Sequence, residues 1–207
     1  MQESYPFRLV NAESKGTLND RGALKKRPLR GAGFSFEEDA PKFIPGEELE
    51  TAINTAIALG EPLLITGEPG TGKTQAAYYA AYKLGIEPVI HFQVKSDTTA
   101  RDLLYHFNNM QYFHDAHFHK EHQHLDKIKY VEKRALWEAI ESEEPRVLLI
   151  DEIDKAPRDF PNDLLHELDK MEIEVVETDP RLKIRGKLEN RPIVFITSNS
   201  ERRVRSR

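Results

Sequence analysis

The 207-residue chain contains no cysteine, which excludes disulfides, thiolate zinc sites and cysteine nucleophiles. It has no apolar run approaching the roughly 20 residues that a membrane span requires. The stretch Met1-Gln2-Glu3-Ser4-Tyr5-Pro6 lacks the basic and apolar regions of a signal peptide, so a cytoplasmic location is expected. Positive charge is not in excess either. Thirty Lys and Arg against 35 Asp and Glu leave a net charge of −5, which gives nucleic acid no overall electrostatic footprint.

What is present describes one globular domain, with 39% hydrophobic and 31% charged residues and enough length to bury a core. Its centre is Gly67-Glu68-Pro69-Gly70-Thr71-Gly72-Lys73-Thr74, which fits G-x-x-x-x-G-K-[ST] at every fixed position. The apolar, β-branched run Leu63-Leu64-Ile65-Thr66 leads in, and a helix-forming segment from Gln75 to Leu84 follows. Strand, loop and helix are the context a phosphate-binding loop needs. Glycines let consecutive backbone N–H groups turn inward, and the helix start adds its positive dipole end. Lys73 would then reach the β- and γ-phosphates, Gln75 would follow at the helix start, and the Thr74 hydroxyl would hold Mg²⁺.

Elsewhere the pattern alternates strands and helices. Residues 1–40 read as an extended arm with a basic patch (Lys25, Lys26, Arg27, Arg30), a surface segment in one reading and a docking arm in another. Pro41 to Gly46 reads as extended, because residues before proline avoid helix. Glu47 to Leu59 shows one apolar helical face closed by Gly60. Pro88 to Phe92 is a strand candidate, and Ser96 to Tyr105 a helix opened by cap-forming residues. Residues 108–128 carry five of the eight histidines (His114, His117, His119, His122, His124), read as a solvated insertion or, alternatively, a zinc or nickel site. Tyr130 to Glu144 reads as a helix with Trp137 at its edge, and Asp159 to Met171 as another. Ile173–Val176 and Leu182–Ile184 form a hairpin. Val147-Leu148-Leu149-Ile150 and Pro192 to Thr197 are buried strands, so the whole is expected to be an α/β domain with a mostly parallel sheet.

In such sheets ligands bind at the carboxyl ends of the strands. Three strands end in capable residues: one in the loop, one in Asp151-Glu152 and one in Asn199. Phosphoryl-transfer chemistry divides the work among them. Asp151 would hold Mg²⁺ with Thr74. Glu152 would orient or deprotonate the attacking water, and Asn199 would contact that water or the γ-phosphate.

These residues resemble the AAA+ ATPases, in their MoxR-type and dynein-related branch. Gly67–Thr74 is similar to the family's Walker A loop, Val147–Ala156 to its Walker B strand and continuation, and Ile196–Asn199 to its sensor 1 strand. Asn162–Leu168 is similar to the helix after Walker B, and the likeness covers roughly residues 41–200. The resemblance implies a P-loop three-layer αβα sandwich with an insertion in its second helix and a β-hairpin before sensor 1. It further implies ATP and Mg²⁺ as ligands, Lys73, Glu152 and Asn199 as catalytic groups, a hexameric ring, and remodelling or maturation of a partner protein. Residues 41–207 would be the ATPase core. The ending Ser200 to Arg207 departs from the family pattern, and no arginine finger or helical lid is assigned. A truncated fragment that binds nucleotide with little or no hydrolysis is the alternative. A GTPase is disfavoured because no Asn-Lys-x-Asp motif occurs.

Overall fold

Val147-Leu148-Leu149-Ile150 has no polar side chain to offer water, so it is stable only with both faces covered. The computed structural model, which describes residues 35–118 and 125–199, covers them. Its strands are β1 (Leu63–Thr66), β2 (Ile90–Gln93), β3 (Tyr105–Phe107), β4 (Val131–Lys133), β5 (Val147–Asp151), β6 (Glu172–Val175), β7 (Leu182–Arg185) and β8 (Ile193–Ser198). Its helices are α1 (Phe36–Asp39), α2 (Glu47–Leu59), α3 (Lys73–Leu84), α4 (Ala100–Leu104), α5 (Asn109–Phe118), α6 (Ala135–Glu141) and α7 (Phe160–Lys170).

Four strands form a parallel sheet in the order β1-β8-β5-β2. Side chains alternate across a strand, so β5 feeds two cores. Val147 and Leu149 pack with Ala77, Tyr78 and Ala81 of α3 and Ile53 of α2. Leu148 and Ile150 pack on the other side with Leu103, Leu136, Ile140, Leu164 and Leu168 from α4, α6 and α7. This is the three-layer α/β sandwich expected. Two antiparallel pairs form separate small sheets, β3 with β4 and β6 with β7, and their buried residues Tyr105, Phe107, Ile173 and Val175 join the second core. The first pair brackets α5, where an insertion was expected, and the second is the expected hairpin. No helix among the described residues is long and apolar enough to cross a membrane.

Local expectations fared unevenly. α2 ends where Gly60 adopts φ 69°, the left-handed turn glycine makes without steric cost, and its N–H donates to Ala56 O and Ile57 O. The helix expected over Tyr130 to Glu144 is wrong over its first third. Lys127–Tyr130 is a 3₁₀ turn and Val131–Lys133 is strand β4, fixed by Asn108 N donating to Tyr130 O and Arg134 N to Leu104 O. A nonlocal partner strand overrode a helical pattern that the apolar spacing alone supported. Trp137, expected at an edge, is buried at 3% exposure, edge-on to Tyr105. Only Ala100–Leu104 of the Ser96–Tyr105 segment is helical, started by a capping box between Thr99 and Asp102. The Pro41–Gly46 segment opens in a 3₁₀ turn, Ala40–Lys42, since proline suits the first helical position. Of the arm expected over residues 1–40, residues 1–34 lie outside the described residues; the Ala40–Lys42 turn packs against α3 with Ala40 fully buried. His114 and His117 lie on α5, whereas His119, His122 and His124 lie outside the described residues.

Candidate functional site

The Gly67–Thr74 loop joins β1 to α3 and bends at three glycines with positive φ: Gly67 at 153°, Gly70 at 82° and Gly72 at 86°. At Gly72 the lack of a side chain also matters for space, since a Cβ there would stand 2.9 Å from the Phe43 ring. α3 begins at Lys73, so the N–H groups of its first turn have no acceptor within the helix. The Lys73 ammonium folds back over the loop, donating to Gly67 O at 3.0 Å and Glu68 O at 2.7 Å. Thr71 donates to Glu68 O at 2.9 Å, and Gly67 N to Ser198 O at 3.3 Å, which ties the loop to the end of β8.

Parallel pairing then delivers the carboxylates. β5 and β8 end beside the loop, and a cavity of about 590 Å³ opens between them, lined by Lys73, Thr74, Asp151, Glu152 and Asn199. Pro69, Gly70, Gly72 and Gln75 also line it, together with Phe36 and Phe43 from the segment before α2. Of the loop residues expected to bind, Glu68 and Thr71 are engaged within the loop itself. Gln75, besides lining the cavity, donates to Phe36 O at 2.8 Å and so anchors α1.

Asp151 is 7% exposed. The Thr74 hydroxyl lies 3.2 and 3.3 Å from its two oxygens, the Thr197 hydroxyl donates to Oδ1, and His91 Nε2 stands 3.4 Å from Oδ2. Burial alone would raise its pKa, but the contacts with His91 and Thr197 and the Thr74 hydroxyl outweigh it, and the carboxyl is held below the usual range. Asp151 and the Thr74 hydroxyl are thus two adjacent hard oxygen donors. They fit a Mg²⁺ ion that keeps water and takes phosphate oxygens as its other ligands.

Glu152 sits at φ 61°, ψ 50°, a left-handed conformation costly for a side-chain-bearing residue. Its N–H donates to Thr197 Oγ1 at 2.9 Å, and its carbonyl accepts from Lys155 N at 3.0 Å. The bend turns its carboxylate toward three donors: Asn199 Nδ2 at 2.9 Å to Oε1, and Gln93 Nε2 and Lys155 Nζ to Oε2. Asn199 N also donates to Asp154 Oδ1 at 2.8 Å.

Sequence reasoning missed His91, Gln93, Thr197 and Lys155 as neighbours of these carboxylates. A faint signal existed: two polar residues at strand spacing, His91 and Gln93, in an otherwise apolar strand. Among the described residues no group of three or more His, Asp or Glu could hold a metal by itself.

A family model described as AAA domain (dynein-related subfamily) matches residues 62–207. The chain is also similar to the crystal structure of a "putative ATPase" from Cytophaga hutchinsonii, at 17% identity and a TM-score of 0.48. That likeness covers 88% of this chain, which spans 45% of the other. No curated protein matches it.

Proposed function

Because this chain belongs to the AAA family, in its dynein-related subfamily, we propose that it binds ATP with Mg²⁺ and hydrolyses it in the cavity between the Gly67–Thr74 loop and the ends of β5 and β8. One observation carries this reading: Lys73, Thr74, Asp151, Glu152 and Asn199, far apart in sequence, line a single cavity.

Lys73 exchanges its loop carbonyls for β- and γ-phosphate oxygens when nucleotide enters, at little cost because it swaps one set of acceptors for another. The amides of the first turn of α3 donate to the phosphates. Thr74 and Asp151 hold Mg²⁺, which when bound neutralises charge on the phosphate oxygens. Glu152 takes the proton of the attacking water, and Asn199, bonded to Glu152, aligns that water. For this the carboxylate must give up part of its contact with Gln93 and Lys155.

Those same contacts favour a second reading, nucleotide binding with little turnover, since three donors occupy the proton acceptor. ATPase assays beside Lys73→Ala and Glu152→Gln controls separate the two. Hydrolysis predicts wild-type turnover at least tenfold above both variants. Turnover equal to Lys73→Ala, with ATP still bound, selects the second reading. We also take the module for a MoxR-like cytoplasmic remodeller that works in a ring, with α5 and the β6–β7 hairpin toward a partner protein. The hairpin lies outside the four-stranded sheet and α5 exposes Met110, Phe113 and Phe118, which supports this, and light scattering with and without ATP tests the ring.

A further inference from the structure

His91 has no part in the roles above, yet its ring sits between two elements of the site. It lies on β2, an edge strand of the described sheet, next to β5 in a register that sets His91 against Leu149 and Gln93 against Asp151. Its side chain is 25% exposed. One nitrogen, Nε2, stands 3.4 Å from Asp151 Oδ2, and the other, Nδ1, is 3.0 Å from the Tyr78 hydroxyl. Tyr78 is 5% exposed, on the face of α3 packed against the sheet.

The aromatic surroundings hold the imidazole in place. Phe36 stacks on Tyr78 with centroids 5.0 Å apart and rings 15° from parallel. Both present themselves edge-on to His91, at 6.2 Å for Phe36 and 6.0 Å for Tyr78. Phe36 is itself secured by Gln75, whose amide donates to its carbonyl. Edge-to-face contacts of this kind fix a ring plane and not merely a volume.

The neighbours also constrain the ring protons. The Asp151 carboxylate can only accept, so the Nε2 that faces it carries a proton, and in the neutral ring Nδ1 is left to accept from the Tyr78 hydroxyl. Asp151 then has a fixed neighbour at each oxygen: the Thr197 hydroxyl donates to Oδ1, and the His91 Nε2 stands 3.4 Å from Oδ2. With Thr74 across both oxygens, the carboxylate plane is set before any cation arrives.

We propose that His91, oriented by Tyr78, is a positioning residue for Asp151, holding its carboxylate in the plane that accepts a divalent cation beside Thr74. The proposal rests on the ATP and Mg²⁺ reading of the cavity. Outer contacts of this type change metal affinity by about 10–100-fold when removed. The arrangement also links the cation side of the cavity to α1 through Phe36, two features that belong to separate parts of the chain.

The test is binding of a fluorescent ATP analogue titrated with Mg²⁺, run in parallel with EDTA. His91→Leu should raise the Mg²⁺ concentration for half-maximal tightening by about tenfold or more, with affinity in EDTA within about twofold of wild type. His91→Gln, whose amide can place an N–H near the Nε2 position, should recover most of the loss. Tyr78→Phe keeps the stack on Phe36 and removes only the hydroxyl, and should shift the midpoint in the same direction by a smaller factor. It also decides the matter if His91→Leu fails to fold. Midpoints within twofold of wild type for both Tyr78→Phe and His91→Leu, or for Tyr78→Phe alone where His91→Leu does not fold, overturn the proposal. A His91→Gln midpoint as poor as that of His91→Leu overturns it too, by showing that packing and not the donor matters. Lys73→Ala separates this failure from that of the underlying reading: if it binds the analogue as wild type does, the cavity is not the nucleotide site.

Discussion

Thr197 offers the sharpest test of how the site is built. It is 1% exposed at the end of β8, and its hydroxyl serves both Walker-type carboxylate residues at once. It donates to Asp151 Oδ1 and accepts the N–H of Glu152, the residue held in a left-handed conformation. Thr197→Val keeps the shape and removes both bonds. Losing a donor to a charged group costs about 1.5–3 kcal/mol, and orphaning the Glu152 N–H about 1–3 kcal/mol. Glu152 is only partly buried, so water can recover some of the second contribution, and a total of roughly 2–4 kcal/mol is expected. Against a domain stability of about 5–15 kcal/mol this is a large fraction.

Urea unfolding at pH 7 measures it, with the buried Trp137 as fluorescence reporter. Thr197→Ser, which keeps the hydroxyl and drops one methyl, should lose about 1 kcal/mol. The deficit of the Val variant should also depend on pH. Asp151 has its folded pKa held below the unfolded value, so its bonds contribute stability above the ordinary carboxylate range that is lost as pH falls through the folded pKa. The gap between wild type and Thr197→Val should therefore narrow below about pH 4. A Val variant as stable as the Ser variant, or a gap that widens in acid, would refute the reasoning.

Two further outcomes follow from the packing. A Cβ at Gly186 would lie 2.6 Å from the backbone oxygen of Ile140, which cannot rotate away as a side chain can. Gly186→Ala should cost about 1–3 kcal/mol in urea unfolding, and a neutral substitution would show that β7 and α6 sit further apart. The Tyr78 phenol is pushed up to about 12 by burial first, then by the Glu37 and Asp151 charges. A raised folded pKa contributes stability that is fully present below about pH 10 and lost as pH rises through about 12, on the order of 2–3 kcal/mol. Stability of Tyr78→Phe followed from pH 9 to 12 should fall less steeply than wild type, and parallel curves would contradict the shift.

What local chemistry dictates could be read from the chain itself. The loop Gly67–Thr74 declared itself because its glycines, lysine and threonine fall within eight consecutive residues, and Gly60 marked a helix end because that turn needs a left-handed residue. Val147 to Ile150 announced a doubly covered strand, and its carboxyl end drew attention to Asp151 and Glu152. Where a partner far along the chain decides the outcome, the pattern misled. Val131 has the spacing of a helical face but pairs with Phe107 in a strand, and Trp137 became buried because that pairing brings Tyr105 against it.

The same division holds inside the site. The sequence by itself singled out the groups proposed here to meet phosphate: Lys73, Thr74, Asp151, Glu152 and Asn199. The tertiary structure alone decided who holds them. His91 and Gln93 reach Asp151 and Glu152 because β2 lies beside β5, and Thr197 reaches both because β8 lies on the other side. Neighbours in a parallel sheet are chosen by burial of whole faces. No spacing along the chain encodes them, and the orientation of each carboxylate therefore belongs to the assembled sheet.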